Sequence, residues 1–224
     1  MNAIVAIAAF SLSVAVLWLL LRSPIGARFV AVPSDERWHE QPTPTFGGVG
    51  IFAGFLAGVA VALAAGIIEW SGELGGILAG ITIVFGAGLI DDLRRLSPIA
   101  KLAAQITAAV VVLASGLNVE IVGNDVLAWA IGLLWLVGIT NAFNLLDNMD
   151  GLAATLAIVS CAYFAIDALT AHENETVLAL AISLGLACGG FLPFNLRPQR
   201  GAAVFMGDSG AQLIGFGLAS LALA

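Results

Sequence analysis

Five aspartates stand where carboxylates could act together. Asp91 and Asp92 are adjacent, at the very end of an apolar run, in Gly88-Leu89-Ile90-Asp91-Asp92-Leu93-Arg94-Arg95. Neighbouring carboxylates at a membrane boundary are costly to desolvate and repel each other unless a cation or a proton lies between them. A solvated acidic loop paired with Arg94 and Arg95 is the plainer reading of that segment. Asn141, Asn144, Asp147 and Asp150 recur every third residue. On a helix that spacing advances about 60° around the axis, so the four share one half of the surface and make an oxygen-bearing face. A single cap before a helix accounts for Asp150 and leaves the other three unexplained. Asp208 lies in Phe205-Met206-Gly207-Asp208-Ser209-Gly210, entering the last apolar run, where Asp208 or Ser209 also suits an N-cap.

Hard oxygen donors, with no Cys or His cluster and with Lys101 and arginines nearby, favour Mg²⁺, or Mn²⁺, shared with substrate phosphates rather than zinc. Metal and phosphate together suggest phosphoryl transfer, which mainly needs charge neutralisation and alignment. A further polar stretch runs from Val32 to Gly48 and contains Arg37-Trp38-His39 and Pro42-Thr43-Pro44. Its prolines favour extended backbone, and Gly47-Gly48 opens a helix whose exposed N–H groups could take a phosphate. Trp38 equally suits an interfacial anchor.

The elements that must position these groups are apolar. Hydrophobic residues make up 60% of the 224, charged residues only 10%, and mean hydropathy is +1.04. Soluble domains carry about 25% charged residues, so water is not the main solvent of this chain. A spanning helix needs roughly 20 apolar residues. The runs at about 3–21, 47–68, 76–90, 99–117, 126–140, 152–170, 177–194 and 211–224 predict an all-α membrane bundle of about eight transmembrane helices in a single domain. The third and fifth runs look short for a full crossing. No basic stretch precedes the first run, so it reads as a span rather than a signal peptide.

Alternating these spans places all eight Lys and Arg on one side: Arg22, Arg28, Arg37, Arg94, Arg95, Lys101, Arg197 and Arg200. The positive-inside rule makes that side cytoplasmic and puts the N-terminus outside. Seven acids, Glu69, Glu73, Glu120, Asp125, Asp167, Glu173 and Glu175, fall opposite and account for the net charge of −7. The five aspartates thus belong to the cytoplasmic side. Cys161 and Cys188 fall inside apolar spans and are expected to pack as small hydrophobes, without a disulfide or metal role.

Together, Arg37-Trp38-His39 with Pro42-Thr43-Pro44 and Gly47-Gly48, Asp91-Asp92 with Lys101, the Asn141-to-Leu152 segment and the Phe205-to-Gly210 segment resemble the polyprenyl-phosphate N-acetylhexosamine-1-phosphate transferases, over about residues 30–216. The resemblance implies Mg²⁺-dependent transfer of a sugar 1-phosphate from a UDP-N-acetylhexosamine to undecaprenyl phosphate, releasing UMP, at the start of cell-envelope glycan assembly. It implies that Asp208 binds the metal, with Asp92 as a further ligand. By the same resemblance Asp91 and Asp92 position or deprotonate the lipid phosphate, and Lys101 holds its charge. Asp147, Asn141, Asn144 and Asp150 would line the nucleotide-sugar pocket, with Phe205 against the uracil. Arg37, His39 and the Pro-Thr-Pro loop look more like the enzymes using UDP-GlcNAc than like phospho-N-acetylmuramoyl-pentapeptide transferase, the alternative within the family. Asn148 stands where the family usually has Gly.

Relatives of this kind continue into further helices and a His-rich cytoplasmic loop, so the chain is expected to be truncated at its C-terminus and, alone, to have little activity. The lipid bilayer, the polyprenyl phosphate and the UDP-sugar are the expected partners, at the inner (plasma) membrane. No nucleic-acid partner is expected, and a homodimer stays open. Two other classes compete. An intramembrane aspartyl protease would suit Met206-Gly207-Asp208 but needs aspartates within the membrane. A solute carrier would place charges near the middle of several spans, which here are almost free of them.

Overall fold

The computed structural model describes residues 2–24, 43–119, 123–197 and 201–224, and the backbone of residues 30–31. Eight helices appear among them: α1 (Asn2–Arg22), α2 (Gly47–Ala64), α3 (Gly72–Arg94), α4 (Pro98–Ala114), α5 (Asp125–Leu146), α6 (Leu152–Thr170), α7 (Glu175–Asn195) and α8 (Gly207–Leu221). Each apolar run has formed one helix. The third and fifth are not short: α3 has 23 residues and α5 has 22. Their backbone bonding continues through polar ends, Glu73 and Asp91-Asp92 in α3 and Asn141 to Asn144 in α5, which hydropathy alone counted as loop. Local chemistry fixes several starts. Ser71, Ser97, Asn124 and Asn174 each accept a backbone N–H three residues on, capping α3, α4, α5 and α7.

Six of the helices, α1, α2, α3, α5, α6 and α7, are long and apolar enough to cross a membrane, and the chain is an all-α, multi-pass membrane protein. Large side chains on their outer faces, such as Ile7, Leu134, Val159 and Ile166, are exposed, as contact with lipid requires. At the end of α1, Arg22 lies 4.0 Å above the Trp18 ring, a pairing suited to an interface. Cys161 and Cys188 are buried and free.

The shortest helix is the most enclosed. Every residue of α8 from Ser209 to Leu221 is buried, with α3 and α5 as its main neighbours and α2 also against it. Glycines permit this approach: a Cβ on Gly88 would lie 2.6 Å from the Ser209 backbone, one on Gly80 2.6 Å from the Phe216 ring, and one on Gly215 2.8 Å from Thr140. Close backbone approach through small residues is the usual way helices associate in lipid, where apolar burial alone gives little preference. On one flank α1 packs on α2 and α7, and α6 packs on α7.

The contacts place the end of α3 and the starts of α2, α4 and α8 at one end of the bundle, together with the end of α5 and the α5–α6 turn. A small antiparallel ladder, Val30–Ala31 with Thr43–Pro44, lies at the entrance to α2. Pro44 O accepts the Phe205 N–H at 2.7 Å, tying that ladder to the chain entering α8.

Candidate active site

Four helix termini build the site. Lys101, in the first turn of α4, places its Nζ 3.1 Å from Asp91 Oδ2 at the end of α3 and in contact with Asp208 Oδ2 at the start of α8. Asn144, in the last turn of α5, donates from Nδ2 to Asp208 Oδ1 at 3.2 Å. These groups open onto a cavity of about 510 Å³ lined also by Arg95, Leu96, Pro98, Leu102, Gln105 and Asn141. One ammonium bridging two carboxylates answers the repulsion that the acids would otherwise face.

The two adjacent aspartates do different things. Asp91 holds Lys101 and accepts the Leu96 N–H on Oδ1 at 2.5 Å, which fixes the short link into α4. Asp92 turns to α8: Oδ1 accepts the Asp208 N–H at 2.8 Å and Oδ2 the Ser209 N–H at 3.1 Å. No side chain of α8's own N-terminal residues caps that helix. A carboxylate from α3 therefore caps it, where the free N–H groups and the helix dipole both favour negative charge. Neither Asp208 nor Ser209 is the cap.

The Asn/Asp face expected over 141–150 is only half realised. Helix α5 stops at Leu146, Asp147 is its C-cap, and Gly151, with φ of 76°, starts α6. Asn141 and Asn144 do share a face, but the helical phase ends before Asp150, which is exposed and makes no described contact with the cavity. Asp147 is partly buried, and burial, then the negative charges of Asp208, Asp92 and Asp150, push its carboxyl up to about 8. Such a group favours either a proton or a cation beside it.

Gly47 and Gly48 do not present free N–H groups to a phosphate. Gly47 N–H donates to Phe205 O at 3.0 Å and Gly48 N–H to Met206 O at 2.8 Å. A Cβ on Gly48 would lie 2.3 Å from Gly210 N, so the glycine pair serves the close approach of α2 to the start of α8. Phe205 is half-buried and held through its backbone by Pro44 and Gly47. Arg37 and His39 lie outside the described residues.

Sequence reasoning missed three buried polar residues. One turn below the site, Gln105 Nε2 donates to Gln212 Oε1 at 3.2 Å, and Asn141 Nδ2 donates to Gln105 Oε1 at 2.7 Å. Gln105 and Gln212 are 2% and 0% exposed, so these amides form a second polar tier joining α4, α5 and α8 inside the bundle. Their offset of four residues from Lys101 and Asp208 was the available signal. Asn195, at the end of α7, accepts the Gly151 N–H at 2.6 Å and donates to Val204 O at 3.0 Å, anchoring the α5–α6 turn. A fourth oversight is backbone: Arg95, with φ of 51°, is the single non-glycine residue with positive φ among those described. A side chain there costs roughly 1–2 kcal/mol relative to glycine.

Among the described residues, no three His, Cys, Asp or Glu side chains form a metal cage by themselves. Both Asp92 oxygens, expected to join Asp208 on a metal, instead accept backbone N–H groups of α8. This leaves Asn144 and Asp147 as the oxygen-bearing side chains near Asp208, of the donor type Mg²⁺ takes when substrate phosphates and water complete its shell.

Residues 74–224 match glycosyl transferase family 4. The chain belongs to that family. A probable undecaprenyl-phosphate N-acetylglucosaminyl 1-phosphate transferase of Bacillus subtilis is 34% identical over 94% of this chain and 61% of its own length. A decaprenyl-phosphate N-acetylglucosaminephosphotransferase of Mycobacterium tuberculosis is 36% identical over 90% of this chain and 54% of its own. A phospho-N-acetylmuramoyl-pentapeptide-transferase of Latilactobacillus sakei is 35% identical over 84% and 63%. The chain thus spans between about half and three-fifths of these family 4 relatives. The family match covers α3 through α8, the helices that bring Asp91, Asp92, Lys101, Asn144, Asp147 and Asp208 together.

Proposed function

We propose that this chain carries the site of an enzyme that transfers N-acetylhexosamine 1-phosphate from a UDP-sugar to a polyprenyl phosphate and releases UMP. The observation that carries this reading is the junction of Lys101 with Asp91 and Asp208 in an open cavity bounded by membrane helices. There a lipid-borne phosphate and a water-soluble donor can meet. The relatives' names supply the chemical class.

In the transfer, an oxygen of the lipid phosphate bonds to the phosphorus that carries the sugar. The bond from that phosphorus to its bridging oxygen breaks, and UMP leaves with the electron pair. Asp91 accepts any proton still on the attacking phosphate. Lys101, released from Asp208 as an anionic group arrives, offsets charge on the phosphoryl oxygens. Asp92 holds the backbone of Asp208 in place, and Asn144 orients its carboxylate. Asp208, Asn144 and Asp147 would hold Mg²⁺, which when bound would neutralise phosphate charge and orient the leaving group. The basic end of the bundle faces the cytoplasm of the inner membrane in this reading.

The test supplies UDP-GlcNAc, undecaprenyl phosphate and Mg²⁺ to membranes containing the whole gene product. UMP release should fall at least about 100-fold in Asp208→Asn, the scale on which removing an electrostatic group lowers turnover. Equal release by wild type and variant would end the proposal. A muramyl-pentapeptide donor is the second reading, favoured by the 35% identical Latilactobacillus sakei relative, and turnover of that donor alone would establish it.

A further inference from the structure

We infer that Arg95 receives the phosphate headgroup of the lipid acceptor at the mouth of the cavity; this rests on the reading of the site just given. Four ionisable side chains line the cavity: Asp91, Asp208, Lys101 and Arg95. Lys101 is engaged by both carboxylates, so its charge is already balanced. Arg95 makes no ion pair among the described residues. An incoming phosphate therefore finds its uncommitted cation in Arg95, whose guanidinium is permanently charged and matches phosphate oxygens with paired N–H groups.

The backbone shows that this position is built. The link from α3 to α4 is only three residues, Arg95-Leu96-Ser97. Arg95 N–H donates to Asp91 O at 2.9 Å, and Leu96 N–H donates to the Asp91 carboxylate. Together they hold Arg95 at φ of 51° and ψ of 95°, a positive-φ conformation that a residue with a side chain rarely adopts. An arginine in that conformation keeps a backbone strain that glycine would relieve, and strain of this kind is concentrated at ligand clamps.

The surroundings favour a lipid over a nucleotide as the source of the phosphate. Leu102 both lines the cavity and is 45% exposed, and Ile99 beside it is 80% exposed. Ile90 and Leu93 expose apolar surface on the adjoining flank of α3. A lipid tail lying along these residues brings its phosphate past Arg95 before reaching Lys101.

The experiment measures equilibrium binding of undecaprenyl phosphate, of uncharged undecaprenol and of UDP-GlcNAc to the whole gene product in nanodiscs, without turnover. Wild type is compared with Arg95→Gly, Arg95→Gln and Arg95→Lys. Losing a hydrogen-bonded charge should weaken undecaprenyl phosphate about 10-fold or more in Arg95→Gly and Arg95→Gln. Arg95→Lys should retain part of the affinity, and UDP-GlcNAc and undecaprenol should change by less than about twofold. Because glycine suits the backbone, Arg95→Gly should melt at or above the wild-type temperature. A merely structural arginine would give the same stability gain with no binding loss. Wild-type lipid-phosphate affinity in Arg95→Gln, or a loss confined to UDP-GlcNAc, overturns the inference, and Arg95→Gln decides it even if Arg95→Gly does not fold. Failure of the transferase reading looks different: no UMP is released, while phosphate-dependent lipid binding still follows Arg95.

Discussion

Replacing Asp92 separates holding a site in place from acting in it. Its carboxylate accepts two backbone N–H groups at the start of α8, one of them from Asp208 itself, and that helix has no side-chain cap of its own. Asp92→Asn keeps the shape but turns an amide NH₂ toward one of the two N–H donors, so one bond is lost and the dipole loses its counter-charge. A hydrogen bond to a charged group contributes about 1.5–3 kcal/mol, and a missing helix cap costs about 0.5–2 kcal/mol. We expect Asp92→Asn to destabilise the chain by about 2 kcal/mol, and Asp92→Ala, which loses both bonds, by about 3–5 kcal/mol. For a chain of this length about 2 kcal/mol is roughly 4–8 °C of melting temperature. Cys161 and Cys188 are buried and free, so a thiol-reactive dye reports unfolding without added labels. Activity supplies the second arm. If Asp92 acts through Asp208, the double variant Asp92→Asn/Asp208→Asn should be no slower than Asp208→Asn alone. Strictly additive rate losses, or an unchanged melting temperature in Asp92→Asn, would refute this reasoning.

Lys101→Met should cost at least about 100-fold in transfer, because it leaves Asp91 and Asp208 facing each other without a cation; UMP release measures it. Gln105→Leu should lower stability by about 1–3 kcal/mol by orphaning the buried Gln212 Oε1, and adding Gln212→Leu should recover part of that loss in the same melting assay. For Asp147, the fold raises the carboxyl from 3.8 to about 8. Its contribution is therefore fully present below the unfolded value of 3.8 and is lost as pH rises through about 8. Asp147→Asn should flatten that decline, and melting curves of both proteins from pH 4 to pH 9 without divalent cations would show it; parallel curves would contradict it.

The positions of the six long helices were legible because hydrocarbon thickness imposes a run length that hydropathy shows directly, and α4 and α8 showed as shorter apolar runs. The ends were less so. Polar residues extend α3 and α5 toward the site, and a helix backbone satisfied by its own bonds does not stop where hydropathy falls. Convergence of Asp91, Lys101, Asn144 and Asp208 followed from their shared placement at span ends. The division of labour between Asp91 and Asp92 did not. Adjacent helical residues point about 100° apart, so the pair was bound to meet different partners, but only the packing of α3 on α8 names them. The Asn/Asp face failed at Asp150 because α5 ends at Leu146 with Asp147 as its C-cap, so the helical phase that the spacing assumed does not reach Asp150. Gln105 and Gln212 went unremarked although each lies one turn from a charged site residue. A polar amide in an apolar run signals a buried partner, and which partner depends on neighbours far away in sequence.

Helix α8, last in order among the eight, occupies the middle of the bundle and has no face left for lipid. During membrane insertion the seven helices made before it cannot close around their final neighbours until it enters. Asp92 has no N–H groups to receive, and Lys101 has only one of its two carboxylates, while that gap persists. Maturation of the charged cluster thus waits for α8 to dock, and a polypeptide inserted only as far as α7 carries the other aspartates without their arrangement.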